Sequence, residues 1–302
     1  MRCRITARHI QPLWLLLLLL LAVDATAEPP GESAVPYGTG LLFELTPPEG
    51  GPPSYLFGTI HSEDPRVLDL PQPVASALRS ASSVVLEVVP DAASMQAAVA
   101  AMRLAEGERL AQVVPPELYR RCLEVGAARG LPEGSLEALK PWAVMLLMSM
   151  PKAETGEFLD RRLYALALEQ GKPALGLETT AEQLALFEQF SIEEQQGLLR
   201  AALDAQADRE QMLEELVDAY LRGALGELLA LSDAGSPGLD PALRRRFHDV
   251  LIDARNRRML HRLAALPSDG RYFIGVGALH LPGPEGLLAG LEEAGFDVRR
   301  LY

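Results

Sequence analysis

Two histidines in this chain end the same short pattern, Gly-x-x-His, and each pattern comes directly after a β-like apolar run. His61 closes residues 56–61 and His280 closes residues 273–280. A glycine at the end of a strand lets the backbone turn sharply, so the histidine is presented at the carboxyl edge of the sheet, where open α/β sheets bind ligands. Imidazole binds metals and carries protons near neutral pH. The pair therefore predicts one shared site for metal binding or acid–base chemistry.

Two glutamates stand in similar positions between the histidines. Glu87 interrupts the apolar run 83–89, where an unpaired buried carboxylate would be unfavourable. It therefore either faces the predicted site or lies on a solvated face. Glu178 follows Gly176 near the end of another predicted strand, and the pattern leaves two roles open for it. It is either a fourth ligand or general base, or it caps the next helix.

These residue types match the needs of a hydrolytic divalent metal. Such an ion takes about three protein ligands and keeps an open position for a water molecule, whose pKa it lowers. His61, Glu87 and His280 are the predicted ligands. Imidazole and carboxylate donors accept Zn, Mn, Co or Fe, so the residue types do not choose among these ions.

The predicted helix 242–263 carries further candidate residues. Arg255 and Asn256 lie within its basic run, and charge runs on helices are usually solvated faces. The residues alone therefore predict a solvated face at this point. His248 and His261 on the same helix lack the glycine-and-strand context, so they are predicted to have surface or packing roles.

A sheet must bring these residues together, and the sequence predicts one built from both ends of the chain. Segments with apolar residues at helical spacing fill the middle. The predicted strands cover residues 41–45, 55–57, 83–89, 174–178, 271–274 and 297–302. Residues 83–89 and 174–178 are apolar enough to predict buried strands. We expect an α/β fold in which a central mixed sheet, made from the N- and C-terminal portions, carries a large helical insertion.

The first 27 residues predict an export signal. Three arginines precede an apolar run of 11 residues at 13–23, and Ala25-Thr26-Ala27 has the small-x-small pattern of a cleavage site. A helix that crosses a bilayer needs roughly 20 residues, so cleavage after Ala27 is favoured over a permanent anchor. We predict a signal peptide at 1–27, a flexible leader at 28–39 and one domain at 40–302. The protein is then periplasmic or secreted, and membrane-anchored only if uncleaved.

Charge and composition exclude several partners and mechanisms. The chain has a net charge of −13, and loss of residues 1–27 removes three arginines and one aspartate, which leaves −15. A protein of this charge repels nucleic acid and anionic lipids. Cys122 is then the only thiol and is predicted to be buried, so no intrachain disulfide is expected. The sequence has no His-Glu-x-x-His, Gly-x-Ser-x-Gly, phosphate loop or dinucleotide fingerprint, so zincin, serine hydrolase and nucleotide-dependent functions lose support.

Five short motifs occur in an order that resembles the TraB/PrgY/GumN family. They are residues 58–61 (GTIH), 86–87 (LE), 171–179 (GKPALGLET), 255–256 (RN) and 277–283 (GALHLPG). The resemblance covers residues 40–302 and implies a fold similar to erythromycin esterase and ChaN-type haem-binding proteins. Because the family includes the Tiki proteins, which are metal-dependent peptidases, it also implies a metallohydrolase. It further implies that Arg255, with Asn256 beside it, contacts the substrate or a developing oxyanion.

Three functions are open at this point. The leading hypothesis is metal-dependent hydrolysis of a peptide bond in a peptide or protein substrate, with Glu178 or Glu87 moving the proton. The second is a non-catalytic exported protein in which the same histidines hold haem or a metal. The third is an interaction protein whose acidic helices bind a partner and whose site is vestigial.

Overall fold

The computed structural model describes residues 35–89, 91–151, 154–234 and 238–302. The predicted signal peptide and most of the predicted leader lie outside the described residues. The strands are β1 Leu42–Thr46, β2 Ser54–Thr59, β3 Ser83–Leu86, β4 Ala174–Gly176, β5 Tyr272–Gly277 and β6 Asp297–Arg300. The helices are α1 Pro65–Leu68, α2 Gln72–Ser80, α3 Ala92–Ala101, α4 Leu110–Val113, α5 Pro116–Ala128, α6 Pro141–Ser149, α7 Leu159–Glu169, α8 Thr180–Ala185, α9 Ile192–Asp204, α10 Arg209–Leu221, α11 Leu225–Ala234, α12 Pro241–His248, α13 Ala254–Ala264 and α14 Leu287–Glu293.

The six strands form one mixed sheet in the order β4-β3-β5-β2-β1-β6. The strands β4, β3, β5 and β2 are parallel neighbours. Strand β1 runs antiparallel to both β2 and β6. The predicted α/β fold is confirmed, because strands from the two ends of the chain enclose a helical middle. Strands β1 and β2 form an antiparallel hairpin across the turn-rich residues 47–53.

Two apolar clusters hold the fold together. The first covers the sheet, whose central strand β5 is buried along its whole length. The second lies inside the helical insertion around α6, where Trp142 stacks on Phe187 with ring centroids 5.1 Å apart. Cys122 is buried in this second cluster, as predicted. The histidines and glutamates of the predicted site follow strands of the sheet, so the sheet is the part of the fold that positions the candidate site.

Three details differ from the sequence expectations. Strand β4 was expected to be buried but is an edge strand, with Leu175 42% exposed. An edge position leaves one side of a strand without a neighbour that could cover it. The predicted single helix 242–263 is divided into α12 and α13 by a π-helical turn, Asp249–Asp253. Neither Gly58 nor Gly277 adopts a left-handed backbone conformation. Gly58 instead leaves room for Ala278 and Leu281, which would lie 3.2–3.3 Å from a Cβ atom there.

Within the residues that the structure describes, none of the helices combines the length and apolar character needed to span a bilayer.

Candidate functional site

Four neighbouring parallel strands each place one predicted site residue at the same edge of the sheet. Thr59 of β2 pairs with Gly277 of β5, so His61 and His280 both follow this paired point. On the other side of β5, Glu87 directly follows β3. Glu178 lies two residues beyond β4, and its backbone N–H donates to the Glu87 carbonyl at 2.7 Å. The structure therefore brings these four residues to one edge of the sheet.

Arg255 lies at the centre of these residues and comes from α13, directly after the π-helical turn. Its side chain is 0% exposed. Its Nη2 atom lies 2.5 Å from Glu87 Oε2 and 2.6 Å from Glu178 Oε2, and Nε donates to Glu178 Oε2 at 2.8 Å. The prediction that Arg255 lies on a solvated face is therefore wrong. A π turn adds a residue to the helical repeat and is frequent at functional sites, and here it precedes the residue that reaches the sheet.

His280 is buried between Arg255 and Asn256. Arg255 Nη1 lies 2.9 Å from His280 Nε2, and His280 Nδ1 lies 2.6 Å from Asn256 Oδ1. A guanidinium group only donates hydrogen bonds, so Nε2 accepts and the Nδ1–H donates to the amide oxygen. Burial, together with the positive charge of Arg255, lowers the pKa of His280 to about 4. His280 is therefore a neutral imidazole whose orientation Asn256 fixes.

Both glutamates are charged and their oxygen atoms are all engaged. Glu87 Oε1 accepts from the Gly277 N–H at 2.6 Å, and Glu178 Oε1 accepts from Arg258 Nε at 2.9 Å. Burial is the largest influence and raises the pKa of each carboxyl group, but Arg255 and the other hydrogen-bond and charge partners together outweigh it, so the net pKa of both lies below the ordinary value. Glu178 does not cap α8, because Thr179 accepts from the Glu182 N–H in that role. Glu178 therefore belongs to the buried cluster around Arg255 and not to the helix cap.

His61 has a different partner, Asp160, which the sequence reasoning missed. His61 Nδ1 lies 3.0 Å from Asp160 Oδ2, yet the two atoms lack the alignment of a hydrogen bond. Thr59 donates to the other oxygen, Asp160 Oδ1, at 2.9 Å. Burial lowers the pKa of His61, but Asp160 and Glu87 outweigh burial and the net pKa is raised. The available signal was an acidic residue directly after the apolar pair Phe158 and Leu159, at the start of α7.

Solvent reaches this cluster from one side. His61, Glu87 and Asp160 keep 7–8% of their surface exposed, whereas Arg255, Asn256 and His280 keep 0–1%. Among the described residues, none forms a hydrogen bond with His61 Nε2. His61 therefore presents a free ring nitrogen at the solvent side, and Arg255 forms the closed inner side. His248 is half-buried, with Nδ1 3.4 Å from Asp253 Oδ2, and His261 is exposed.

The acidic residues after His61 support the loop that leads to Asp160. Asp64 caps α1 by accepting from the Arg66 N–H. The Glu63 carboxylate accepts from three backbone N–H groups, those of Glu154, Thr155 and Gly156, at 2.7–3.0 Å. It thereby ties the residues after β2 to the segment that enters α7. Neither residue contacts the histidine directly.

Replacing Glu63 by Ala is expected to lower the free energy of unfolding by about 1–2 kcal/mol, because three donors lose a charged acceptor that water only partly replaces. Glu63→Gln keeps one oxygen and should lose less. Urea unfolding measures the change. Glu157→Gln, an exposed carboxylate in the same segment, is the control and should change stability by no more than about 0.5 kcal/mol. An equal loss in the control would contradict the role given to Glu63.

The predicted metal ligands do not fit a metal ion in this arrangement. The single lone pair of His280 Nε2 faces Arg255 and not a shared point with His61. Within the described residues, no three His, Cys, Asp or Glu side chains are placed to share an ion. The donor types are those of a metal site, but a guanidinium group fills the position between them.

The chain is thus an α/β protein with a buried cluster of histidine, carboxylate and arginine at the carboxyl ends of parallel strands, the edge where open α/β sheets bind ligands. Residues 42–300 match the model of the TraB/PrgY/gumN family, and the chain belongs to this family. The resemblance drawn from the five motifs is thus confirmed.

The chain is similar to several named proteins. The chain is 24% identical over 234 residues to the uncharacterized protein YbaP of Escherichia coli (strain K12), covering 76% of this chain and 84% of YbaP. It is 27% identical over 300 residues to metalloprotease TIKI1 of Danio rerio, covering 82% of this chain and 60% of TIKI1. Metalloprotease TIKI2 of Xenopus tropicalis is 26% identical over 300 residues, covering 82% of this chain and 57% of TIKI2.

No solved structure matches the chain. The expected similarity in fold to erythromycin esterase and ChaN-type proteins therefore stays a prediction. The chain spans somewhat more than half the length of the Tiki relatives, so their activity is a property of longer proteins.

Proposed function

We propose that this protein is an exported hydrolase that cleaves amide bonds in peptides, with His61 as its general base. The observation that carries the proposal is the pair formed by His61 and Asp160 at the solvent side of a buried charged cluster. The names of the Tiki relatives support the peptide bond as substrate. The signal-like residues 1–27 support action in the periplasm or outside the cell.

The pair has the geometry of an oriented base. With Nδ1–H directed towards Asp160, the free Nε2 of His61 is the atom that accepts a proton. Catalytic hydrogen bonds are often long or poorly aligned before substrate binds, which agrees with the unaligned 3.0 Å contact between Nδ1 and Asp160 Oδ2. The negative charges of Asp160 and Glu87 both favour the imidazolium that forms. Proton transfer to His61 is therefore stabilised from two directions.

The proposed reaction uses this atom twice. His61 Nε2 removes a proton from a water molecule while the water oxygen bonds to the carbonyl carbon of the peptide. The C–N bond then breaks, and the leaving nitrogen takes the proton back from His61. Glu87 and Glu178 act here as fixed charges, not as proton carriers, because Arg255 holds both as carboxylates. The predicted role of either glutamate in moving the proton is therefore not part of the proposal.

A peptide library tests the proposal. The purified protein is incubated with the library at neutral pH, and the products are identified by mass spectrometry. We expect new amino and carboxyl termini with the wild type and with His261→Gln, which changes an exposed histidine of α13. An identically purified His61→Gln preparation should give no such products. Cleavage at the same bonds by that preparation would indicate a contaminating protease and contradict the proposal, as would a wild type that cleaves nothing.

A further inference from the structure

We infer that the guanidinium group of Arg255 is the resident cation of this site and that it excludes a divalent metal ion from the position between Glu87, Glu178 and His280. The inference rests on the proposed function only for its choice of site. Its evidence is the geometry of Arg255 and of the three groups around it, and it differs from what the ligand types alone predict.

The imidazole of His280 has no lone pair to give to a metal. Its Nδ1–H is committed to Asn256 Oδ1 at 2.6 Å, and its Nε2 accepts from Arg255 Nη1 at 2.9 Å. A ring nitrogen that binds a metal needs the lone pair that already accepts this hydrogen bond. His280 becomes a ligand only if Arg255 leaves.

The carboxylates are committed in the same way. Glu87 and Glu178 each place an Oε2 atom 2.5–2.6 Å from Arg255 Nη2. Their Oε1 atoms accept from the Gly277 N–H and from Arg258 respectively. Charge-assisted bonds of this kind are the strong ones. A metal ion would have to replace several of them at once.

The charges in the cluster are already balanced. Two buried carboxylates face two guanidinium groups, Arg255 and Arg258. An added dication would lie against Arg255 in a poorly solvated region, where like charges repel strongly. The Arg255 side chain is 0% exposed and also donates to the Leu251 carbonyl at 3.3 Å. It therefore has no solvated position close by to which it could withdraw.

Cobalt binding tests the inference without any assay of activity. The purified protein is freed of metals by dialysis against a chelator and titrated with Co²⁺, which is followed by calorimetry and visible absorption. We expect the wild type to bind no equivalent of Co²⁺ at this site, and His280→Gln and His261→Gln to titrate like the wild type. One equivalent that is lost in His280→Gln but kept in His261→Gln would overturn the inference.

Removing the guanidinium group should create the missing site. In Arg255→Ala the carboxylates and the Nε2 atom of His280 are released, and we expect Co²⁺ to bind at least about tenfold more tightly than to the wild type, with the absorption of nitrogen and oxygen ligands. A folded variant that gains no binding contradicts the inference. Should Arg255→Ala not fold, Arg255→Lys is titrated instead; it keeps the charge and should still exclude Co²⁺, so binding by it contradicts the inference.

The outcome is separable from that of the proposed hydrolysis. If cleavage is found, it should survive the chelator dialysis within a factor of about two, while a complete loss that added metal restores would overturn the inference but leave the hydrolase proposal intact. If no peptide is cleaved, the hydrolase proposal fails and the Co²⁺ titrations still decide the question of the resident cation.

Discussion

Arg255→Met is expected to lower the free energy of unfolding by about 3–5 kcal/mol, because it leaves two buried carboxylates without their shared cation. Glu87 and Glu178 both lie within 2.6 Å of Arg255 Nη2. Methionine keeps an unbranched apolar stem but offers no donor and no charge. Urea unfolding at pH 7 measures the loss. Arg257→Met is the control, since Arg257 lies on the exposed side of the same helix with its side chain 58% exposed.

The same variant should reverse the dependence of stability on pH. In the wild type the folded pKa of both carboxyl groups is lowered. Their contribution is therefore present above the unfolded pKa of about 4.3, and is lost as the pH falls towards the folded pKa. Without Arg255, burial dominates and raises the folded pKa, so the variant should be destabilised more at pH 7 than at pH 4.5. A deficit that is equal at both pH values would contradict this account.

His61→Gln is expected to lower kcat/KM for peptide cleavage by a factor of roughly 10²–10⁴, the usual contribution of a positioned general base. Asp160→Asn should cause a loss in the same range. An amide that donates towards Nδ1 would favour the tautomer with the proton on Nε2, which removes the lone pair needed for the reaction. The loss should lie mainly in kcat, because both residues are proposed to act on the transferred proton and not in holding the substrate.

The double variant distinguishes a catalytic pair from two separate contributions. The variant that combines His61→Gln with Asp160→Asn should have a kcat/KM at most about threefold below that of the less active single variant. Residues that act as a unit do not have additive effects. Thr59→Val removes the hydrogen bond to Asp160 Oδ1 and should give a smaller loss than either change. Fully multiplicative losses would show that Asp160 does not act through His61.

The sequence was most informative where a strand ends. Each of His61, Glu87, Glu178 and His280 follows an apolar run, and parallel neighbours bring such positions to one edge. Their meeting point could therefore be predicted from the order of local patterns. The same patterns predicted the mixed sheet, because both ends of the chain supply strands and the middle has helical spacing.

The identity of the cation could not be predicted in this way. Which face of α13 meets the sheet depends on the π-helical turn before it, and the basic run gives no sign of that turn. Asp160 reaches the site from α7, and its partner Thr59 is 101 positions away in the sequence. The exposed position of β4 depends on strand order, since nothing within residues 174–176 shows that the strand has only one neighbour. These are tertiary properties that local spacing does not contain.

The position of β5 between β2 and β3 determines when the sheet can be completed. The pair β1 and β2 and the pair β3 and β4 are joined only through β5, so a ribosome-bound chain that stops before residue 272 has two unconnected sheet fragments. Closing such long loops makes folding slow. The sheet is therefore completed only after residues 272–277 have been made.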